Sequence, residues 1–394
     1  MTTLHWNFKD LFRSLRLGFS AKKVWMCCLG LLLGLSAYSG FTYLAYLVAG
    51  HDVLTVWENY RLLPFPEPSF LPFPWFAWLI YALGVLILVV ILLVTGTAVT
   101  KVAYEQLRGD EFYESKEAFR FAFKNASSVL LSPLLIIGFV LFISMCGVIL
   151  GLVGRIPQFG VAFTGLMGFL AFFASLFIVY LGIVLLFSIL LGPAVAGATR
   201  SDMFDTLFEV FSCVNEQPWR LIWYTALLTG IAKVGSFILG LASSLAGRVG
   251  YSILHLVMGA RITNLFENAA FYFKINLPGW WPLRELFRFE ANIYGLPHIY
   301  APSDYLPAGW GNDIGSLLLG VTYYAVALIV IGYGLSVWFT GQTLSYAILV
   351  HKKDSKNILA VPEDAEELIE PVVSPQIKEA GTAEPKPGSS GTTT

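Results

Sequence analysis

The chain has 394 residues, 56% of them apolar and only 13% charged, about half of the roughly 25% charged share usual in soluble domains. So little polar surface requires lipid as part of the solvent, and a formal net charge of -1 excludes the basic face with which nucleic-acid binders neutralise phosphates. The first partner of such a chain is the lipid bilayer.

The N-terminus opens with Phe8, Leu11, Phe12, Leu15 and Phe19 at helical spacing, interleaved with Lys9, Arg13 and Arg16. Apolar runs long enough to cross the hydrocarbon core then fall at about 24–49, 75–100, 128–153, 161–196, 221–247 and 314–350. The first follows Lys22 and Lys23 but is about twice a signal-peptide core in length and lacks a small-x-small cleavage site, so it reads as a retained helix. Between the second and third runs, "ESKEAFRFAFKNASS" places Phe112, Phe119, Ala122, Phe123 and Ala126 on one helical side, with Glu117 and Arg120 three apart. Between the fourth and fifth, "RSDMFDTLFEVFSCVNEQPWRL" sets Phe204, Leu207, Phe208, Phe211 and Val214 against Asp205, Glu209, Ser212 and Glu216. Ser201 is the expected N-cap of that helix, and Pro218 its expected end.

The fold expected is therefore an all-α membrane protein with six transmembrane helices and three cytoplasmic amphipathic helices. These are arranged as three units, starting near 7, 110 and 202, each a helix, a span, a loop and a span, although residue identities barely repeat. Residues 1–350 form the membrane domain, 248–312 an external amphipathic loop within it with short helices at about 252–274 and 283–293, and 351–394 a disordered tail rich in Pro, Gly, Ser, Thr and acids. Lysine and arginine concentrate in 1–23, 101–127, 197–220 and at Lys352, Lys353 and Lys356, against Arg61 and Arg155 alone in the short opposite loops, which puts both termini in the cytoplasm.

The stretches "AYEQLRGDEFYESKEAFRFAFKNASSVLLSP", "LGPAVAGATRSDMFDTLFEVFSCVNEQPWRLIWY" and "LSYAILVHKKDSKNILAVPEDAEE" resemble a group of bacterial six-span integral membrane proteins without an assigned activity. The resemblance covers about a quarter of the chain and implies a bacterial inner-membrane location. It carries over no catalytic residue.

Lys233 lies about 13 residues from either end of its run, ~20 Å along the axis, where a lysine costs about 2.5–3.5 kcal/mol to insert. It is the candidate intramembrane functional residue. The small-residue stripe Ala232, Ser236, Gly240 and Ser244 beside it suits close helix approach, so Lys233 is expected to point into a helix interface or cavity. The pairs Gly30 with Gly34 and Gly147 with Gly151 are expected to be packing faces of the same kind. Pro133 and Pro193 break helical hydrogen bonding near span ends.

No catalytic, cofactor-binding or metal-binding signature appears. The five histidines are scattered; only His51 with Asp52 and His298 with Asp304 stand near a carboxylate on the outer loops. Cys27, Cys28, Cys146 and Cys213 are expected to be small apolar residues, not a disulfide framework. Two functions remain open: a non-enzymatic scaffold or accessory subunit that meets protein partners through its amphipathic helices and external loop, or a transporter or lipid-handling permease whose path passes Lys233.

Overall fold

The computed structural model describes residues 4–67, 72–199, 202–272 and 309–360, and all regular structure among them is helical. A 3-10 turn, Phe8–Phe12, leads into α1 (Arg13–Gly18) and α2 (Ala21–Val48). A distal turn holds α3 (Val53–Tyr60), and α4 (Trp75–Arg108) returns. Then follow α5 (Ser115–Lys124), α6 (Ala126–Val153), α7 (Phe159–Leu166), α8 (Gly168–Thr199), α9 (Met203–Glu216), α10 (Pro218–Met258), α11 (Ala260–Tyr272) and α12 (Trp310–Asp354). Six of these, α2, α4, α6, α8, α10 and α12, are long and apolar enough to cross a membrane, which is the build of a multi-pass membrane protein.

The helix boundaries correct several expectations. The run 161–196 is two helices, because the chain turns at Met167 between Gly165 and Gly168. α10 continues without interruption to Met258, so the segment expected to begin the external loop at 248 is helix, and Gly259, at φ +55, makes the turn into α11. Pro218 starts α10 at its first position instead of merely ending α9, where the missing N–H costs nothing. Asp202 is the N-cap residue of α9. α12 runs through Asp354, and Tyr104 donates from its hydroxyl to the Ile358 carbonyl at 2.7 Å, so the expected tail is packed against α4 as far as Leu359. Residues 361–394, the second expected loop helix at about 283–293, and His298 and Asp304 lie outside the described residues.

Three helical hairpins make the bundle. α2 packs on α4, where a Cβ at Gly30 would collide with Thr95 and one at Gly34 would lie 2.7 Å from Leu88, so that glycine pair is the close-packing face expected. α6 packs on α8 through Ser132 and Ser188, whose hydroxyls are 3.2 Å apart. α10 packs on α12 through Leu228 against Gly341 and Ser236 against Gly334. Gly147 and Gly151, by contrast, face open space and are exposed, so the second glycine pair is not a packing face within this chain.

The second helix of each hairpin enters a common core at the end of the bundle where α1 and the segment after α12, as far as Leu359, are packed. Residues 93–104 of α4, 191–198 of α8 and 339–350 of α12 are buried without interruption, on every face of the helix. Small residues allow this: Phe339 fills the space over Gly96, and Thr100 donates to the Pro193 carbonyl at 2.7 Å while covering Gly197. Around this base, α1 packs on α12, α5 on α4 and α9 on α8. The apolar side expected of α9 divides in two, with Val210, Cys213 and Val214 against the bundle and Phe204 and Phe208 exposed. In α5, Ala118 and Ala122 face inward while Phe123 stays out.

Away from the base the hairpins differ. The first and third stay together, since Cys28 on α2 donates to the Leu328 carbonyl of α12 at 3.3 Å and the Arg61 guanidinium lies 4.5 Å over the Phe271 ring of α11. The distal halves of α6 and α8 carry exposed apolar residues on nearly every side, from Phe139 to Leu152 and from Phe169 to Phe177.

Candidate functional site

Lys233 is exposed, so of its two expected surroundings, a helix interface or a cavity, the interface does not hold it. The reason is rotational. Ala232, Ser236, Gly240 and Ser244 do form the close-packing row, with Ala232, Gly240 and Ser244 buried and Ser236 against Gly334, but Lys233 follows Ala232 by one residue and so projects about 100° away from it.

The direction it takes can be worked out from the contacts of α12. Gly341 marks the side that meets α10, Phe339 the side that meets α4, and Tyr333, Ser336 and Val337 the side that meets α1. Gln342 lies about 100° from Gly341 and about 60° from Phe339, between them. That arc is the one left for α8, which packs on both α12 and α4. Followed away from the base, the same arc is closed at Gln342, half-open at Trp338 and Leu335, and open at Ile331, which is 48% exposed. A crevice between α8 and α10 therefore narrows downward onto Gln342.

Lys233 stands on the side of α10 that borders this crevice, on the flank of the α12 seam opposite Gly235, whose neighbours are Leu15 of α1 and Tyr333. Thr229 and Thr225 precede it at four-residue intervals, a spacing that makes one stripe winding toward α12. Thr229 is exposed like Lys233, whereas the Thr225 hydroxyl is buried. Because Leu228 lies opposite Gly341 and Ser236 opposite Gly334, Lys233 stands ~8 Å above Gln342 along the axis, and Thr225 is level with Ser345.

At the floor of the crevice four buried polar atoms have no hydrogen-bond partner among the described residues: both amide atoms of Gln342 and the hydroxyls of Ser345 and Thr225. Gln342 is only 1% exposed. Each such atom left unsatisfied costs about 1–3 kcal/mol. On α8, a Cβ placed on buried Gly192 would meet nothing within 4 Å, so the third wall leaves room.

A second polar cluster closes the base. Lys101, 2% exposed, lies 2.5 Å from Glu105 and 4.8 Å over the Phe121 ring of α5. Lys23, fully buried, donates to Gln106 at 2.9 Å, and Lys22 to the Tyr113 carbonyl at 2.6 Å. These bonds tie α2, α4 and α5 together and reach no open surface, so the cluster is structural.

Other candidates separate. Among the described residues no group of three His, Cys, Asp or Glu side chains stands ready to hold a metal ion, and the His51 imidazole lies 2.7 Å from the Pro72 carbonyl. The four cysteines are free. Burial, and next the charge of Glu209, push the Cys213 thiol up to about 12, which makes it inert at neutral pH.

Lys233 was legible in the sequence; Gln342, Ser345, Thr225 and Thr229 were not singled out there. The signal for the threonines was present in the four-residue spacing of "TALLTGIAK". Nothing in the sequence marked Gln342 as buried. Neither a protein-family model, nor a curated protein, nor a solved structure matches this chain. What the fold defines is a class, an all-helical protein with six helices long and apolar enough to cross a membrane and a closed base.

Proposed function

We propose that this protein is a lipid-handling permease of the bacterial inner membrane, with its base and both termini on the cytoplasmic side, and that the crevice between α8 and α10 is its substrate path. The observation that carries this is the exposed Lys233 and Thr229 stripe beside a face of α12 that is open at Ile331 and closed at Gln342. An exposed cation at this depth faces water, a polar ligand or an anionic headgroup at lower cost than hydrocarbon. The basic residues grouped around the base support the orientation. The three-unit arrangement supports an architecture in which the second hairpin rocks against the other two: α1, α5 and α9 each pack on the second span of a neighbouring unit, and "TGT", "LGP" and "TGQ" place Gly96, Gly192 and Gly341 at matching points of the three buried segments.

Single cysteines placed by Thr229→Cys, Lys233→Cys, Val234→Cys and Ile238→Cys in a chain with its native cysteines replaced by alanine test the path. Val234 and Ile238 are 54% and 60% exposed but lie on the other side of α10. A membrane-impermeant maleimide is expected to label positions 229 and 233 and to spare 234 and 238. Equal labelling of all four, or none at 229 and 233, removes the path.

A second reading, a scaffold or accessory subunit, has one observation in its favour. α9 exposes Asp205 and Glu216 beside Phe204 and Phe208, and acidic groups disfavour anionic headgroups while aromatic ones suit a protein partner. Reproducible co-purification of a partner that is lost on Phe208→Glu supports it; a wild-type preparation that is always alone counts against it.

A further inference from the structure

We infer that the crevice takes an anionic phosphodiester lipid whose headgroup is uncharged and hydroxylated, with Lys233 on the phosphate and the floor formed by Gln342, Ser345 and Thr225 on the headgroup. The inference rests on the permease reading and adds the substrate class. Its basis is the chemistry of the unpartnered atoms. The amide of Gln342 offers a donor and an acceptor, and each hydroxyl offers both. None of them carries charge, so the group they satisfy is neutral and itself both donates and accepts, as an alcohol does.

The surroundings exclude the zwitterionic alternatives. α8 and α10 contain no Asp or Glu, and neither do the buried segments 191–198 and 339–350. An ammonium headgroup seated on this floor would therefore find no carboxylate in these segments, and choline would also leave the Gln342 acceptor without a donor. The separation fits as well: the ~8 Å rise between Lys233 and Gln342 is spanned by a lysine side chain reaching one way and a glycerol headgroup the other. Acyl chains then leave sideways between α8 and α10, where Ile189 and Ile331 present apolar surface. A soluble phosphate ester would share the polar contacts but would not use that lateral opening.

The test uses the full chain in phosphatidylcholine nanodiscs, with lipid retention measured by native mass spectrometry. Phosphatidylglycerol is compared with phosphatidylethanol, an anion of the same charge whose headgroup has no hydroxyl. The parent protein is expected to prefer phosphatidylglycerol by about tenfold, the worth of one or two net hydrogen bonds. Gln342→Leu is expected to abolish the preference while keeping phosphatidylethanol, and Lys233→Met to release both lipids. If Lys233→Met retains both, the permease path itself fails. If Lys233→Met releases both but Gln342→Leu keeps the tenfold preference, or the parent shows none, the headgroup assignment fails alone. Competition by soluble glycerol 3-phosphate would overturn the lipid as the ligand. Should Gln342→Leu not fold, Ser345→Ala with Thr225→Val makes the same comparison.

Discussion

The ion pair at the base gives the most quantitative expectation. Lys101→Met removes a cation whose side chain is 3% exposed, 2.5 Å from a carboxylate that is 14% exposed. Removing one partner of a buried pair costs about 3–5 kcal/mol. Two features move the expectation to the low end: Glu105 retains some solvent and keeps Arg108 at 3.5 Å. The cation also lies over the Tyr104 and Phe121 rings at 5.1 and 4.8 Å, interactions worth about 1–2 kcal/mol together, part of which the methionine sulfur restores. The expected loss is about 3 kcal/mol. Glu105→Leu alone, leaving the lysine buried without its counter-ion, costs a similar amount, while the double variant is expected within about 1 kcal/mol of the parent because neither charge remains buried. The four proteins form a double-mutant cycle, measured by reversible unfolding in mixed micelles with the unfolded state trapped sterically. Additive losses, with the double variant about 6 kcal/mol down, would falsify the claim that these two charges are held by each other.

Other outcomes follow from the same packing. Gly30→Val collides with Thr95 and is expected to cost at least about 1–3 kcal/mol of hairpin stability, whereas Gly147→Val, which meets nothing within 4 Å, is expected near neutral; equal thermal stability of the two variants refutes the distinction. Thr100→Val strips the Pro193 carbonyl of its donor across α4 and α8 and is expected to cost about 1–2 kcal/mol, read by the same unfolding assay; no change means that bond does not hold the core. Cys213, with a folded value of about 12 against an ordinary 9.0, is about 0.01% thiolate at pH 8 when folded and about 10% when unfolded. Its labelling is expected only on unfolding. Because the folded value is raised, its stabilising share is complete below pH 9 and declines as pH rises from 9 toward 12; labelling at pH 8 without loss of fold contradicts the burial.

The spans were legible because hydrophobicity and length are one-dimensional properties. Helices α1, α5 and α9 fall where helical spacing put short helices, but the sequence could not divide their apolar side between protein and surroundings: Val210 and Phe208 of α9 look alike by spacing, yet one is buried and the other exposed. Rotation was the harder quantity. Ala232 and Lys233 are neighbours in sequence, and which of them meets α12 depends on Gly334 and Gly341 of another helix. Register failed likewise for Lys101 and Lys23, which read as flanking charges of a membrane boundary and are instead buried, because the spans extend further into the base than their apolar runs. Glycines showed both outcomes, Gly30 meeting a partner helix and Gly147 meeting nothing, since a small-residue motif permits close approach without supplying the helix that approaches.

One asymmetry connects these observations. At the base several polar groups bond to one another, Thr100 to Pro193, Lys101 to Glu105 and Lys23 to Gln106, although the Ser14 and Thr340 hydroxyls there have no partner among the described residues. At the same level of the core, at the junction of α8, α10 and α12, the side chains of Gln342, Ser345 and Thr225 do not bond to each other or to any neighbour among the described residues. Had these positions served packing alone, an apolar residue of the same volume would fill each without the desolvation cost, as it does at Leu344 and Leu349 beside them. What sets Gln342, Ser345 and Thr225 apart is their place, on the α12 and α10 faces beneath the stripe of α10 that carries Lys233 into the apolar layer.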